Sequence, residues 1–378
     1  MAAEKGSKKN PIDDLRCERT TTRMNTFWAG PIPVRGEYIN EDITVPLATL
    51  EIPLIYGTIK GARVASMPGV DGVHVQIHRD WMTRAPVLET NDACQAQELS
   101  DYVTNNYQHL KEVGDSTSRF GRVTAIHGIT VDNLYFMRVQ MDCKDAAGHT
   151  MSEKAAARIV QHLIKHDPQT RLLSLSGNFC EDKKPGMVNT ILGRGKSATA
   201  WVDIPREAFE AAAKGDPACK YVKGIDDPYT LVKLNTVKNH LGSMLAGNAM
   251  GGNAHHANVY AAIAAATGQD LANVVEGSQG VDHVTYDGKK LHFAVYMPSI
   301  IVGTKGGPAN FEENIPDQTA NLKRLGCYGS GNPVGSNAKR LAEIVAATTW
   351  CAEFNLMSVL SQNYELIRSH EKLERGTL

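Results

Sequence analysis

The sequence predicts an α+β fold in which a small ferredoxin-like unit interrupts a larger domain of mixed helices and sheet. Strand-like alternation and helical spacing follow one another in the order β-α-β-β-α-β, which places the small unit at about residues 86–174. The composition then shifts to Gly, Ala, Asn and small polar residues, with several helical patterns. The length of 378 residues suits two domains, or one large domain with an insertion.

The elements of the small unit follow from period and turn signals. A hairpin is predicted around Asp132-Asn133, because an alternating segment lies on each side of it. Ser152 is the predicted N-cap of a helix that buries Ile159 and Leu163 and ends at Asp167-Pro168. The predicted strands are 72–78, 119–129, 133–143 and 171–176, the last a buried run RLLSLS, and the predicted helices are 94–113 and 151–166.

The larger domain is predicted to be discontinuous, with residues 18–85 before the small unit and 175–378 after it. Residues 237–270 suggest two small-residue helices broken near Gly251-Gly252, and 336–370 are strongly helical. Residues 1–17 are predicted to be a flexible tail, and 371–378 the mobile end of a C-terminal flap.

Charge and cysteine content exclude several classes of protein. Forty basic and forty-one acidic side chains give a net charge of -1, so nucleic acid is not an expected partner. Seven cysteines without a CxxC pair argue against a disulfide framework or structural zinc, and no metal site is predicted. With neither a signal peptide nor a membrane-length apolar run, the expected location is the cytoplasm, with no membrane partner.

The stretch SGNFCEDKKPG, residues 176–186, concentrates charge directly after a predicted strand. Its ordinary interpretation is a solvated turn, since Asp and Lys are common in loops. In the functional interpretation, Ser176, Asp182, Lys183 and Lys184 line a site for an acidic or oxyanion-forming substrate. A lysine beside a thioester or aldehyde oxygen would stabilise the negative charge that hydride addition creates there.

Three further residues could supply partners for this loop. Glu51 ends an otherwise apolar run, so it should be paired or protonated, unless it is an ordinary edge-strand glutamate. Asp270 follows an alanine-rich helix, where it is either a simple terminator or the partner of a lysine. His370 lies at the end of the last helix, where it is either solvated or a general acid on a closing flap.

Glycine and basic residues suggest anion sites, although no GxGxxG fingerprint occurs. VGTKGGPANF, residues 302–311, has the backbone freedom to approach a phosphate closely. GDSTSRFGR, residues 114–122, offers hydroxyls and an arginine fork to a phosphate, or forms a polar turn. Lys60 and Arg63 are consistent with an anion site, although basic pairs are common on surfaces.

The order of these motifs resembles the hydroxymethylglutaryl-CoA reductase family. ATLE, TSRF, DAAG, SGNFCEDKKP, NAHHAN, GQD, GTKGG and a late SH follow one another in the family's order between about residues 28 and 376. SGN-x-C-x-DKKP is the most specific piece and is nearer to the family's class I. We expect a form without the membrane anchor of eukaryotic relatives, either a soluble prokaryotic enzyme or a truncated one.

The resemblance implies a role for each matched position. Glu51 would donate a proton to the reacting carbonyl, Lys183 would stabilise the oxyanion, Asp270 would link these two, and His370 would protonate the departing CoA thiolate. The implied substrate-binding residues are Arg84, Ser176, Asp182, Lys184, Lys238, His255 and Asn258, and the implied CoA-binding residues are Lys60 and Arg63. The implied cofactor-binding residues are Ser118, Arg119, Phe120, Asp145, Gly148, Gly303, Thr304, Gly306 and Gly307.

The resemblance further implies two NADPH per reaction, with NADH possible, and an acyl-CoA substrate. It also implies a homodimer or homotetramer whose active site lies at the subunit interface. Several positions depart from the family pattern, among them Thr150, Lys305 and Pro308 in the cofactor loops and the bulkier segment 52–60. Two alternatives remain open at this point: a reductase or lyase acting on a different acyl-CoA, and a non-catalytic CoA-binding relative.

Overall fold

The computed structural model describes residues 20, 22–248, 250–307 and 315–375. The predicted tail at 1–17, Pro308 and residues 376–378 of the predicted flap end lie outside this range. The strands are β1 (Thr26–Arg35), β2 (Asn40–Ala48), β3 (Val73–Arg84), β4 (Val87–Glu89), β5 (Arg122–Val131), β6 (Leu134–Asp142), β7 (Arg171–Ser174), β8 (Gly195–Pro205), β9 (Gly251–Gly252), β10 (Gly280–Tyr286) and β11 (Lys290–Ile300).

The helices connect these strands and cover the sheet. They are α1 (Ile52–Ala65), α2 (Ala93–Asn105), α3 (Tyr107–Asp115), α4 (His149–His166), α5 (Met187–Leu192), α6 (Arg206–Ala213), α7 (Tyr229–Leu234), α8 (Ser243–Leu245), α9 (His256–Thr267), α10 (Val274–Gly277), α11 (Pro316–Arg324), α12 (Ser336–Leu360) and α13 (Glu365–His370). Shorter or wider helical turns occupy Pro217–Val222, Asn235–Gly242, Leu271–Asn273 and Glu371–Arg375. The predicted α+β class is confirmed.

The long strand β3 joins two parts of the sheet. Residues 74–81 pair antiparallel with β8, in the part that continues through β11 and β10. Residues 82–84 instead pair with β6, in the part ordered β7-β4-β6-β5. Arg84 therefore ends β3 at the point where one part of the sheet gives way to the other.

The second part of the sheet has the predicted β-α-β-β-α-β order, although its first helix is broken. Its first strand is β4 and not the predicted 72–78, which lies in the portion of β3 next to β8. The continuous helix expected over 94–113 is interrupted at Asn106, where α2 ends and α3 begins. The hairpin at Asp132 is present, and Asp132 takes a positive φ of 52°. A separate cluster of buried residues, including Ile159 and Leu163 of α4, packs beneath this sheet. The domain boundaries at 86 and 174 stay a prediction.

Two local predictions are wrong. RLLSLS is not buried: β7 pairs only with β4, and Leu172 and Leu173 are exposed, because an edge strand of four residues has no neighbour to cover it. Ser152 is not an N-cap. Helix α4 begins earlier, after the left-handed Gly148, and Ser152 is buried in its first turn with its hydroxyl donating to the His149 carbonyl oxygen.

Helix α12 is the central helix of the larger core. Trp350 stacks on Phe354, and both side chains contact Phe293 of β11. Within the described ranges no single helix has the length and apolar character of a membrane span. Ser336–Leu360 and Glu365–Leu373 meet those criteria only as a pair bent by 119°. The segment Glu371–Arg375 continues α13 in the structure.

Candidate active site in two half-sites

Glu51 stands at the N-terminus of α1, directly after β2 leaves the core. Its carboxylate does not cap the helix and instead accepts a hydrogen bond of 3.0 Å from the Asn258 side-chain amide. Asn258 lies in the first turn of α9, one turn after His255, whose Nδ1 is 3.5 Å from the same amide nitrogen. The ends of two helices thus bring Glu51, His255 and Asn258 together.

A cavity of about 730 Å³ opens onto these three residues. His370, the last residue of α13, lines it together with Lys60 of α1, and aliphatic side chains such as Leu54 and Leu366 supply apolar walls. We call Glu51, His255, Asn258 and His370 the glutamate half-site. It contains a carboxyl group and two imidazoles beside an apolar wall, which suits proton transfer to a bound organic substrate.

Lys60 also lines a second cavity of about 350 Å³, which shares Asn355, Val359 and Glu365 with the first. Lys220 and Lys223 lie on its other side. Arg63, the other predicted CoA-binding residue, is exposed near the end of α1 and lines neither of these two cavities.

Lys183 lies on a loop with an unusual backbone. Asn178, Glu181 and Lys183 all have positive φ, between 47° and 60°, in a segment without glycine at those positions. Such conformations cost about 1–3 kcal/mol each and persist only where surrounding contacts enforce them. Here Cys180 is fully buried, and the Asn189 side chain donates to the Glu181 carbonyl oxygen.

The Lys183 ammonium forms an ion pair of 2.9 Å with Asp270. Asp270 also caps the short helical turn that follows it, accepting from the Ala272 amide at 3.1 Å, so it is not a simple terminator of α9. Burial acts to raise the pKa of Asp270, but hydrogen bonds from Lys183 and Ala272 outweigh it and hold that pKa below its usual value. The same hydrogen bond raises the pKa of Lys183, which is therefore a cation at neutral pH.

Asp182 sits within a buried network of ion pairs next to Lys183. Arg194, fully buried, donates to Asp182 at 2.5 Å and to Glu276 at 3.2 Å, and Glu276 also accepts from the Lys183 backbone amide at 2.7 Å. Burial raises the pKa of Glu276, although the Lys183 amide and Arg194 oppose this shift. Arg84 approaches the second Asp182 oxygen at 3.7 Å. The network fixes both the backbone and the neighbours of the lysine.

The remaining predicted residues fall near one or the other group. Ser176 places its hydroxyl 3.8 Å from the Cys180 thiol, and Lys184 donates to the Asp182 carbonyl oxygen on the exposed side of the loop. Lys238 instead donates to the side-chain oxygen of Asn239, and the Asn239 amide in turn donates to the buried Asp282. We call Arg84, Ser176, Asp182, Lys183, Lys184 and Asp270 the lysine half-site.

The two half-sites lie at opposite ends of α9. Asn258, which holds Glu51, is in the first turn, whereas Asp270, which holds Lys183, follows the last helical residue, Thr267. Thr267 is nine positions after Asn258 along the helix, a rise of about 14 Å. Within one chain, Lys183 thus pairs with Asp270 beyond one end of α9, and Glu51 lines the cavity at the other end.

The predicted cofactor segments converge at the N-terminus of α4. Gly148 has a φ of 94° and directly precedes the first residue of α4. Gly303 packs so close to the backbone of Ala147 that a Cβ on Gly303 would lie 2.4 Å from the Ala147 amide nitrogen. A Cβ on Gly121, which follows Phe120, would meet Met151 of the same helix. A helix N-terminus beside a close glycine backbone fits a diphosphate, because free amides and the helix dipole both favour an anion.

Two of the predicted cofactor residues act inside this region. The Asp145 carboxylate is buried and accepts from the backbone amides of Gly331, Gly335 and Ala338. Thr304 is also buried, with its amide donating to the Asp145 carbonyl oxygen. These contacts tie the two loops together, and no described residue lies within 4 Å of the position that a Cβ would take at Gly306 or Gly307.

The outer end of this region carries Ser118, Arg119 and Phe120. The Ser118 hydroxyl accepts from the Phe120 and Gly121 amides, which fixes the turn. Phe120 is 56 % exposed, and the Arg119 guanidinium carbon stands 5.5 Å from the centre of its ring. An exposed arginine supported on an aromatic ring is available to a phosphate or a nucleotide base.

Sequence reasoning missed several residues that support the half-sites: Arg194, Glu276, Glu353, Asp282 and His256. Glu353 could have been identified from the sequence, because it is a lone acid in the apolar run TTWCAEFNLM. The same pattern identified Glu51. Arg194 and Glu276 had no comparable signal, since 82 positions separate the partners.

Comparisons with known proteins agree with this architecture. The family model described as hydroxymethylglutaryl-coenzyme A reductase matches residues 16–375. The chain is 38 % identical to a 3-hydroxy-3-methylglutaryl-coenzyme A reductase of Aeropyrum pernix over 93 % of this chain and 79 % of the relative. It is 36 % identical to the enzyme of that name from Pyrococcus horikoshii, over 92 % and 80 % of the two chains.

The fold has a counterpart among solved structures. The class II 3-hydroxy-3-methylglutaryl-CoA reductase of Streptococcus pneumoniae, solved bound to NADPH in open conformations, aligns with a TM-score of 0.63 over 92 % of this chain and 88 % of that chain. At 18 % identity this likeness concerns the fold alone. The family model and the two archaeal relatives cover nearly the whole chain, including both half-sites, and the chain therefore belongs to the hydroxymethylglutaryl-coenzyme A reductase family.

Proposed function

We propose that this protein reduces 3-hydroxy-3-methylglutaryl-CoA to mevalonate and free CoA, using two NADPH, in isoprenoid biosynthesis. Membership of the family supports the reaction, and the observation that carries it is the Lys183–Asp270 ion pair of 2.9 Å on the rigid SGNFCEDKKP loop. The pair supplies a cation held in place by a carboxylate, which suits the stabilisation of an oxyanion.

The residues of this chain divide the work of the reaction between them. NADPH supplies the hydride when it is bound. Lys183 stabilises the oxyanion that forms as the thioester carbonyl is reduced, and Asp270 keeps the ammonium in place. His370 then protonates the departing CoA thiolate. Glu51, held by Asn258, gives a proton to the aldehyde oxygen in the second reduction.

We further propose that the complete active site lies between two copies of the chain. The α9 helix keeps Asp270 and Glu51 apart within one chain, so the glutamate half-site of one copy would face the lysine half-site of the other. A two-fold axis would make two such sites at once, because an isologous interface repeats every contact. A homodimer, or a homotetramer built from such dimers, follows from this arrangement.

The joined cavities support an acyl-CoA as substrate. The acyl end would occupy the larger cavity beside Glu51 and His370, and the phosphates would lie in the smaller one. Lys60, Lys220 and Lys223 surround that smaller cavity and provide positive charge for several phosphates. The remaining predicted CoA residue, Arg63, is one turn beyond Lys60 on α1.

For the cofactor, Arg119 favours NADPH over NADH, because a guanidinium pairs well with the 2'-phosphate that only NADPH carries. The three converging segments around Gly148 would hold the diphosphate. We expect the enzyme to act in the cytoplasm.

A direct assay tests this function. The purified chain is mixed with NADPH and 3-hydroxy-3-methylglutaryl-CoA, and absorbance at the reduced-nicotinamide band is followed while mevalonate is quantified. Oxidation of two NADPH for each mevalonate formed is the expected result. Release of CoA without loss of NADPH would indicate a lyase or hydrolase. Binding of the thioester without turnover would indicate a non-catalytic relative.

A further inference from the structure

Beneath the glutamate half-site, Glu353 of α12 holds the segment that carries His255 and Asn258. Its carboxylate oxygens accept from the Ala254 amide at 2.8 Å and from the His255 amide at 2.6 Å. Glu353 is completely buried. Because both amides belong to the turn that starts α9, the orientation of one carboxyl group sets where His255 enters the cavity.

A second buried acid meets Glu353. Asp282 of β10 is also completely buried, accepts from the Asn239 side-chain amide at 3.1 Å, and lies 3.1 Å from His256 Nε2. An oxygen of Asp282 and an oxygen of Glu353 lie within 4.8 Å of each other and of a His256 ring nitrogen. Two buried carboxylates at this separation repel each other, so the arrangement favours a proton on one of the two groups.

The charges around the pair are consistent with one retained proton. Burial, above all, raises the pKa of Asp282 and of Glu353 to about 7 each, and the negative charge of Asp282 adds to the rise at Glu353. Burial lowers the pKa of His256, so this imidazole is neutral and does not neutralise the acids. The other titratable groups facing the pair are Lys238, His255 and His240, the last through the Asp282 carbonyl oxygen.

We propose that Asp282 and Glu353 share one proton, and that this shared proton fixes Glu353 as a positioning residue for the His255–Asn258 segment. Loss of the proton would place two adjacent buried carboxylates in a site with low polarisability, and they would repel. Glu353 would then turn away from the two backbone amides, and the substrate-binding side chains would shift. The inference rests on the proposed function for its kinetic readout.

The same three groups, His256, Asp282 and Glu353, lie close enough to ligate a cation. Protons explain the geometry better, because backbone and side-chain N–H groups already point at both Glu353 oxygens and at Asp282 Oδ2. A divalent cation would have to displace these donors or share the oxygens with them.

The chain supplies a matched control on the same helix. Glu343 is also a completely buried acid of α12, it also accepts backbone amides, those of Glu37, Tyr38 and Ile39, and burial also raises its pKa to about 7. It differs from Glu353 in two respects: the acid beside it, Glu37, is exposed, and the turn that it holds lines neither of the two cavities. We therefore compare Asp282→Asn, Glu353→Gln and Glu343→Gln.

The first measurement is the KM for the acyl-CoA between about pH 6.5 and about pH 8.5. We expect the wild-type KM to rise by on the order of 10-fold across this range, since the two carboxylates repel once the shared proton is lost and Glu353 turns away from the Ala254 and His255 amides. Asp282→Asn should flatten this rise, because its amide donates to Glu353 at every pH. Glu343→Gln should keep the wild-type profile, and Glu353→Gln should raise KM at all pH values with a smaller change in kcat.

The second measurement needs no substrate. A folded-state pKa of about 7, above the ordinary carboxyl values of 3.8 and 4.5, means that the folded protein keeps protons that the unfolded chain has released. The free energy of unfolding should therefore fall as pH rises from about 4 to about 7. Asp282→Asn and Glu343→Gln should each reduce this slope, whereas only the former should alter the KM profile.

The results separate this inference from the proposed function. If the stability slope depends on Asp282 but no thioester is reduced, the shared proton stands and the proposed function fails. If turnover occurs but Asp282→Asn retains the wild-type KM profile, the positioning role is overturned. Stoichiometric divalent metal in the purified protein, lost in Asp282→Asn, would overturn the shared proton.

Discussion

The two half-sites are built on different physical principles. The glutamate half-site uses helix ends around an apolar cavity, and its polar groups are few and spaced for proton transfer. The lysine half-site uses a loop with left-handed residues, held by an ion-pair network in which Arg194 is completely buried. One half presents groups that exchange protons, whereas the other fixes a permanent charge. In the proposed dimer, the two half-sites of one active site would come from different chains, and each would be stabilised by its own surroundings.

The largest expected effect lies beneath the lysine half-site. Arg194→Met should lower the free energy of unfolding by about 3–5 kcal/mol, because the completely buried Glu276 and the partly buried Asp182 would lose the cation between them. Chemical denaturation of the two proteins measures the difference. The control is Arg206→Met, which breaks only the exposed pair with Glu210. Equal midpoints for the two variants would show that the buried network does not stabilise the loop.

The next largest effect concerns the charge itself. Lys183→Ala should reduce kcat by on the order of 10²–10³, the usual cost of removing one oxyanion donor. The fold should survive, since the Lys183 side chain is 40 % exposed. Lys289→Ala, on the exposed turn between β10 and β11, serves as the control. Near wild-type turnover by Lys183→Ala would contradict its assigned role.

The smallest of these effects concerns the cofactor, at the outer end of the α4 region. Arg119→Ala should lower kcat/KM for NADPH by about 10-fold and leave that for NADH nearly unchanged, since only the former loses a charged hydrogen bond. Arg158→Ala, an exposed position on α4, is the matched control. An equal loss with both cofactors, or a preference for NADH in the unaltered enzyme, would refute the role of Arg119.

The extent to which sequence predicted this site depended on where the partners lie along the chain. Lys183 and Asp182 were identifiable because their loop concentrates charge over a few adjacent residues. The Lys183–Asp270 pair was predicted from the family's motif order, which no local pattern could supply. Arg194 was missed, because its role depends on an ion pair with Glu276, and only the folded chain brings these two distant residues together.

The fold was predictable to the same degree. Alternation located β5 and β6 correctly, since both strands lie in one hairpin. The apolar run RLLSLS suggested a buried strand, but burial depends on neighbours, and β7 is an edge strand paired only with β4. Helix starts were uncertain for a related reason: Gly148, in a left-handed conformation, starts α4 without any capping side chain.

The central claim is that the two half-sites of one active site come from different chains. Glu51→Gln and Lys183→Ala, each inactive alone, are mixed, dissociated and reassociated, and NADPH oxidation is then measured. If the site lies between chains, half of the dimers are mixed, and each has one intact site, so activity should return to about one quarter of the wild-type value. If both residues act within one chain, every site carries a defect, and the mixture would remain as inactive as its components.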